Sequence, residues 1–126
     1  MNGKLYQFDD MVWEPVSEGV KRKVVAGDGV TVAYYIMMPG SAALIHHHSH
    51  SQLVFLMNGE GIVTMGDTSQ PMQGPSVCHF PSNLPHSLTI NEESAPAYVY
   101  DVFTPRRTEY EESYKAYAAA HPDGEK

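Results

Sequence analysis

A chain of 126 residues has the length of one domain, since two would each be too small for a sound core. With 42% hydrophobic and 18% charged residues it stands far from disordered or collagen-like compositions. A formal charge of -7 sets its field against nucleic acid and anionic membranes as partners. The single cysteine, Cys78, cannot close an intramolecular disulfide, and no charged-then-apolar leader opens the sequence, so a reducing cytoplasmic setting is expected. The best candidate for a membrane span, Val30 to Met38, ends at Pro39-Gly40, well short of the roughly 20 apolar residues required.

In chain order, short β-branched and aromatic runs predict strands at Val20–Val25, Val30–Met38, Ala43–His48, Gln52–Met57, Gly61–Met65, Ser76–Phe80, His86–Thr89 and Ala97–Phe103. Gly27-Asp28-Gly29, Pro39-Gly40, Asn58-Gly59-Glu60-Gly61, Gly66-Asp67 and Pro81-Ser82-Asn83 separate them as turns, because Gly and Asn accept positive φ and Pro presets it. Asn58-Gly59 is the strongest hairpin signal. Short strands at this spacing predict an all-β fold in which a double-sheet barrel spans about residues 20–103 and leaves no long bare edge. The pattern then becomes helical. Thr108 with Glu111 reads as a capping box, Tyr110, Tyr114 and Tyr117 repeat at helical spacing, and Pro122 and Gly124 end the run, which predicts one helix over about 109–120. The tyrosine stripe reads as packing against the barrel or a sister subunit.

Four of the seven histidines fall in His46-His47-His48-Ser49-His50. On an extended strand alternate side chains share a face, so His46 and His48 can reach one metal ion while His47 faces away. Two imidazoles hold an ion weakly, and the natural further donors are Gln52, at the head of the next strand, and His86, after the Pro-rich turn. These donors accept Ni, Zn, Mn, Fe or Co, so one divalent transition metal ion is expected with its identity open. A Gln oxygen is a neutral donor and leaves the ion more electron-poor than a carboxylate would, which favours Lewis-acid chemistry over oxygen activation.

These residues resemble the cupin superfamily. Gly40, His46, His48, Gln52 and Gly59 occupy the places of the first cupin motif, with Gln for the usual Glu. The segment Gly74 to His86 is similar to the second, with Asn83 where Gly is usual and Ile90 where an Asn commonly follows. The resemblance implies a jelly-roll barrel, with the C-terminal helix appended.

Three stretches carry a closer resemblance to the small cupins known as pectin degradation proteins, which linearise unsaturated uronates. They are WEPVSEGVKRKVV from Trp13, HHHSHSQ from His46, and DVFTPRR from Asp101. The resemblance implies His46, His48, Gln52 and His86 as metal ligands, and Asp101, Phe103 and Arg107 in the substrate pocket. Asp101 would be the general acid/base, Arg107 would bind a substrate carboxylate, and Phe103 would face the sugar ring. It also implies an acidic sugar as substrate and a homodimer, to which outward apolar residues such as Ile45 would contribute. The departures are Arg106 where the family has Pro, Ser49 and Ser51 in the ligand run, and a longer helix; the roles of Arg106 and His50 stay open. Two other readings remain open: an oxygenase or lyase using iron on the same barrel, and a non-enzymatic sugar-binding or sensor module.

Overall fold

The computed structural model describes residues 3–42 and 45–126. Among the described residues, nine strands run β1 (Glu14–Ser17), β2 (Val20–Gly27), β3 (Val30–Met37), β4 (Ser51–Leu56), β5 (Glu60–Met65), β6 (Thr68–Gln73), β7 (Ser76–Phe80), β8 (His86–Ile90) and β9 (Ala97–Thr104), followed by the helix α1 (Thr108–Ala120). They form two antiparallel sheets, ordered β1-β2-β3-β9-β4-β7 and β6-β5-β8. This is the expected all-β jelly roll with one C-terminal helix.

Period-two alternation builds the core. Along β3 every second residue, Thr31, Ala33, Tyr35 and Met37, is buried, as a sheet with one inward face requires. The inner face of the large sheet adds Val24, Val54, Leu56, Val99 and Phe103, and the small sheet meets it with Val63, Leu88 and Ile90. The outer face keeps Leu53, Val77 and Tyr98 exposed.

Two strands go beyond the sequence-based expectation, β1 and β6. Pro15 and Pro71 argue against strands in the sequence, yet both strands lie at sheet edges, where a missing N–H costs no ladder bond. The expected strand Ala43–His48 does not form over its described part. Ala43 and Leu44 lie outside the described residues, and His46 makes an isolated antiparallel bridge to His86. Asn58-Gly59 does turn the chain, with Gly59 at φ 82°, but it is not a hairpin: β4 pairs with β7 and β9, whereas β5 pairs with β6 and β8. The turn carries the chain from one sheet to the other. Asn58 fixes it by accepting from the Tyr98 N–H at 2.9 Å and donating to Pro96 O at 2.9 Å.

The helix begins one residue earlier than expected, and its capping box is not made. Arg107 occupies the cap position without a side-chain cap bond, while Glu111 is hydrogen-bonded to Arg106 and Thr31 instead. Tyr114 is buried and donates to Val12 O at 2.6 Å, tying α1 to the chain ahead of β1. A buried ion pair, Arg22 Nε to Glu14 Oε1 at 2.7 Å, lies beneath the helix, and Ser113 on α1 donates to the other Glu14 oxygen at 2.5 Å.

Gly61 on β5 leaves no room for a side chain against β8. A Cβ there would lie 2.4 Å from the Thr89 carbonyl oxygen on β8. Gly61→Ala is therefore expected to lower stability by about 1–3 kcal/mol, the usual cost of overpacking, read as a lower denaturant midpoint at unchanged slope. An unchanged midpoint would show that β5 and β8 part easily.

Candidate metal centre

The fold brings His86 to the side of the segment that carries His46, His48 and Gln52. Gln52 is the second residue of β4 and is buried. His86 opens β8 and is 2% exposed. His46 faces it through a two-bond backbone bridge, His46 N–H to His86 O at 3.1 Å and His86 N–H to His46 O at 2.9 Å. His48 follows outside any strand. His47 is exposed while His46 and His48 are half-buried, the alternation expected from their spacing.

Asn83 explains how the second motif works without its usual glycine. It adopts φ 65°, a left-handed conformation that Asn tolerates better than other non-glycine residues. Its N–H donates to His48 O at 2.7 Å, so the turn that delivers His86 also fixes the backbone of His48.

One ring nitrogen from each of His46, His48 and His86 lies within 4.8 Å of the other two. A His86 Nδ1–H donates to Leu84 O at 2.8 Å, which leaves Nε2 with its lone pair; that atom is buried and has no hydrogen-bond partner among the described residues. Burial, with the neighbouring His46, His48 and Arg107, lowers the His86 pKa to about 4, so the ring is neutral at physiological pH. His48 is likewise shifted down, first by burial and then by Arg107. Its Nδ1–H donates to His50 O at 3.0 Å, and its Nε2 lies 2.9 Å from Gln52 Oε1. Gln52 thus stands between His48 and Asp101, whose pKa it pulls down. The 2.9 Å between His48 Nε2 and Gln52 Oε1 is about the edge of an octahedron with donors at roughly 2.0–2.1 Å from an ion. The cluster suits a metal site by donor type, protonation and spacing. Phe80 stacks on His86 at 4.2 Å and fixes that ring's plane.

Asp101, Phe103 and Arg107 stand beside this cluster. Asp101 and Phe103 share the inward face of β9, with Asp101 paired to Ala33 on β3 and Val54 on β4, and Phe103 paired to Gln52. Asp101 Oδ1 is buried without a hydrogen-bond partner among the described residues. Burial pushes the Asp101 pKa up to about 7, against the pull of the Gln52 hydrogen bond, Arg107 and Arg22. Phe103 is 1% exposed and meets His48 edge-to-face at 5.6 Å. Arg107 leads into α1, with its backbone N–H donating to Thr31 Oγ1 at 2.8 Å and its Nε to Glu109 Oε1 at 2.8 Å. Its Nη1 is buried and has no hydrogen-bond partner among the described residues. Arg106 faces outward to Glu111.

One cavity of about 440 Å³, within the usual range for small-ligand sites, opens beside this cluster. His46, Gln52, His86, Asp101 and Arg107 form its polar side, and Val20, Met37, Val54, Leu88 and Val99 its apolar side. Of the strand residues that the sequence offers as cavity lining, Tyr34, Tyr35, Met37 and Met57, the structure places Tyr35 and Met37 there. Tyr110 also lines the cavity and is the one that sequence reasoning misses, because it belongs to the helical stripe. His50 is close behind, 5.6 Å from His48 ring to ring. His79 is exposed and Cys78 half-buried near Met72 Sδ at 3.9 Å.

Comparison with known proteins agrees with this architecture. KdgF from Halomonas sp. superposes with a TM-score of 0.80 at 22% identity, covering 86% of this chain and 99% of that one. An RmlC-like cupin from Shewanella frigidimarina gives a TM-score of 0.76 at 18% identity, with coverage of 86% and 96%. A variant of oxalate decarboxylase from Bacillus subtilis gives 0.70 at 20% identity, covering 82% of this chain but 31% of that longer one. No curated protein matches the chain. No helix is long and apolar enough to cross a membrane among the described residues. The family model for the cupin domain matches residues 33–103, more than half of the sequence, from the strand before the histidine run to the phenylalanine beside it, and the chain belongs to the cupin family.

Proposed function

We propose that this protein is a metal-dependent cupin enzyme that linearises 4,5-unsaturated uronates from pectin or alginate, with His46, His48, Gln52 and His86 as ligands to one divalent transition metal ion. The observation that carries the reading is the convergence on one cavity of three buried polar atoms without partners among the described residues, His86 Nε2, Asp101 Oδ1 and Arg107 Nη1. A metal donor, an acid/base and a cation for a carboxylate are the three functions that an unsaturated sugar acid needs. The likeness of the Trp13, His46 and Asp101 stretches to the pectin degradation cupins supports the same substrate class.

The bound ion supplies polarisation of a substrate oxygen. Arg107 Nη1 pairs with the substrate carboxylate and sets the sugar's orientation. Phe103 and the apolar wall exclude water from one face of the ring. Asp101 Oδ1 takes the proton of the anomeric hydroxyl as the bond from the anomeric carbon to the ring oxygen breaks, giving an aldehyde and an enolate. The same oxygen returns that proton to the carbon β to the carboxylate, leaving an α-keto acid. One proton moves within the molecule and nothing is added or lost, so the reaction is an isomerisation. Gln52 bridges the two parts of the site, standing between His48 and Asp101.

The test is the ultraviolet absorbance of unsaturated galacturonate. Metal-loaded protein is expected to accelerate its decay beyond the spontaneous rate on the order of 10²-fold or more, and a decay equal to the spontaneous one overturns the assignment. A homodimer belongs to the same reading, supported by the exposed Leu53, Val77 and Tyr98 on the outer face of the large sheet; a monomer mass at sedimentation equilibrium overturns it.

A further inference from the structure

We propose that Tyr110, on the C-terminal helix, is a positioning residue that holds the Arg107 guanidinium against the cavity and so sets the protein's affinity for anionic ligands. The inference rests on the reading of Arg107 as the carboxylate-binding group.

The sequence gives Tyr110 a packing role, but its surroundings differ from those of the rest of the stripe. Tyr114 is buried with its hydroxyl spent on Val12 O, and Tyr117 stacks on His121 at 4.0 Å. Tyr110 instead lines the cavity. The Arg107 guanidinium carbon lies 3.8 Å from its ring centroid, and that of Arg22 lies 4.0 Å from it. Phe103 meets the same ring edge-to-face at 5.5 Å and is itself 5.0 Å from Arg107. One aromatic ring thus serves two cations, the buried Arg22 and the half-buried Arg107.

The alternatives for holding Arg107 are weak. Its ion pair is to Glu109, whose side chain is 59% exposed, and an exposed carboxylate restrains a flexible side chain little. Thr31 fixes only the backbone N–H. Aromatic stacking, in contrast, fixes the plane of a guanidinium while leaving its edge donors available, and Nη1 is the donor left without a partner among the described residues. Arg22 cannot take over the role, because Glu14 and Tyr35 occupy its Nε and Nη1.

The ring, not the hydroxyl, carries the function, so Tyr110→Phe should behave as the native protein, while Tyr110→Met keeps the buried volume and removes the plate. Nitrogen-edited NMR relaxation of the Arg107 Nε–H provides a readout that needs no ligand: rigid in the native and Tyr110→Phe chains, mobile in Tyr110→Met. D-galacturonate, a saturated uronate, is the binding probe for calorimetry on metal-loaded protein. Its affinity should fall on the order of 10-fold in Tyr110→Met and stay within about twofold in Tyr110→Phe. Once Arg107→Met is in place, adding Tyr110→Met should cause no further loss. An Arg107 side chain that stays rigid in Tyr110→Met, or losses from the two substitutions that add in full, overturns the positioning role. Native protein with a rigid Arg107, mobile in Tyr110→Met, that binds no D-galacturonate overturns the uronate reading while supporting the role of Tyr110.

Discussion

Asp101→Asn is expected to lower turnover of unsaturated galacturonate on the order of 10²–10⁴-fold, the usual worth of a positioned general acid/base, with metal content and fold unchanged. The substitution is nearly isosteric, and the amide can still meet Gln52, so the environment of the metal cluster is disturbed little. What it removes is the ability of the atom at the Oδ1 position to accept a proton and give it back. Substrate affinity should change far less than turnover, because Arg107 and the metal site carry the binding in this account. If the Asn form turns over at the native rate, Asp101 is a structural acceptor for Gln52 and the proton transfers occur elsewhere. If it loses binding and turnover together, the carboxylate acts through the orientation of Gln52.

His86→Ala should remove the metal. The native Nε2 is buried without a partner among the described residues, and Phe80 and Leu84 fix its ring by stacking and by a hydrogen bond at 2.8 Å. A ligand held so firmly contributes more than its supporting groups, whose loss typically costs 10–100-fold in affinity, so a drop of at least about 100-fold is expected. His47→Ala is the matched control, since His47 is exposed on the opposite side of the same extended segment and should leave metal content unchanged. Equal metal loss from both would mean that the histidine run binds ions loosely in solvent, without the barrel.

Much of the barrel was legible because its inward face alternates cleanly. The strands from Val20 to Phe103 were anticipated to within two residues wherever the pattern was β-branched and aromatic. The misses have local causes. Pro15 and Pro71 hid two edge strands, since proline is excluded only from the interior of a sheet. Asn58-Gly59 marked a turn correctly but could not say that the strands on either side pair elsewhere, which depends on long-range register. Thr108 and Glu111 match a capping box by spacing, yet Glu111 finds stronger partners in Arg106 and Thr31 across the fold.

The site was legible unevenly. His46, His48 and Gln52 follow from strand alternation and from the chemistry of their donors. Asp101, Phe103 and Arg107 came only from the family resemblance, because a single Asp or Phe on a strand carries no periodic signal. The contact of Gln52 with Asp101 arises from the pairing of β4 with β9, which nothing local encodes. Tyr110 was hidden by its own pattern, for a helical stripe reads as packing until the cations over one of its rings are seen.

The proposed chemistry depends on one metal ion held by three imidazoles inside this barrel. X-ray absorption spectroscopy of metal-loaded protein addresses it directly, because imidazole rings leave a multiple-scattering signature that counts them. One ion per chain with three imidazoles and additional oxygen donors is expected, and two imidazoles or no ion in the His86→Ala chain. A spectrum with one imidazole or none in the native protein, or one unchanged by His86→Ala, would contradict it.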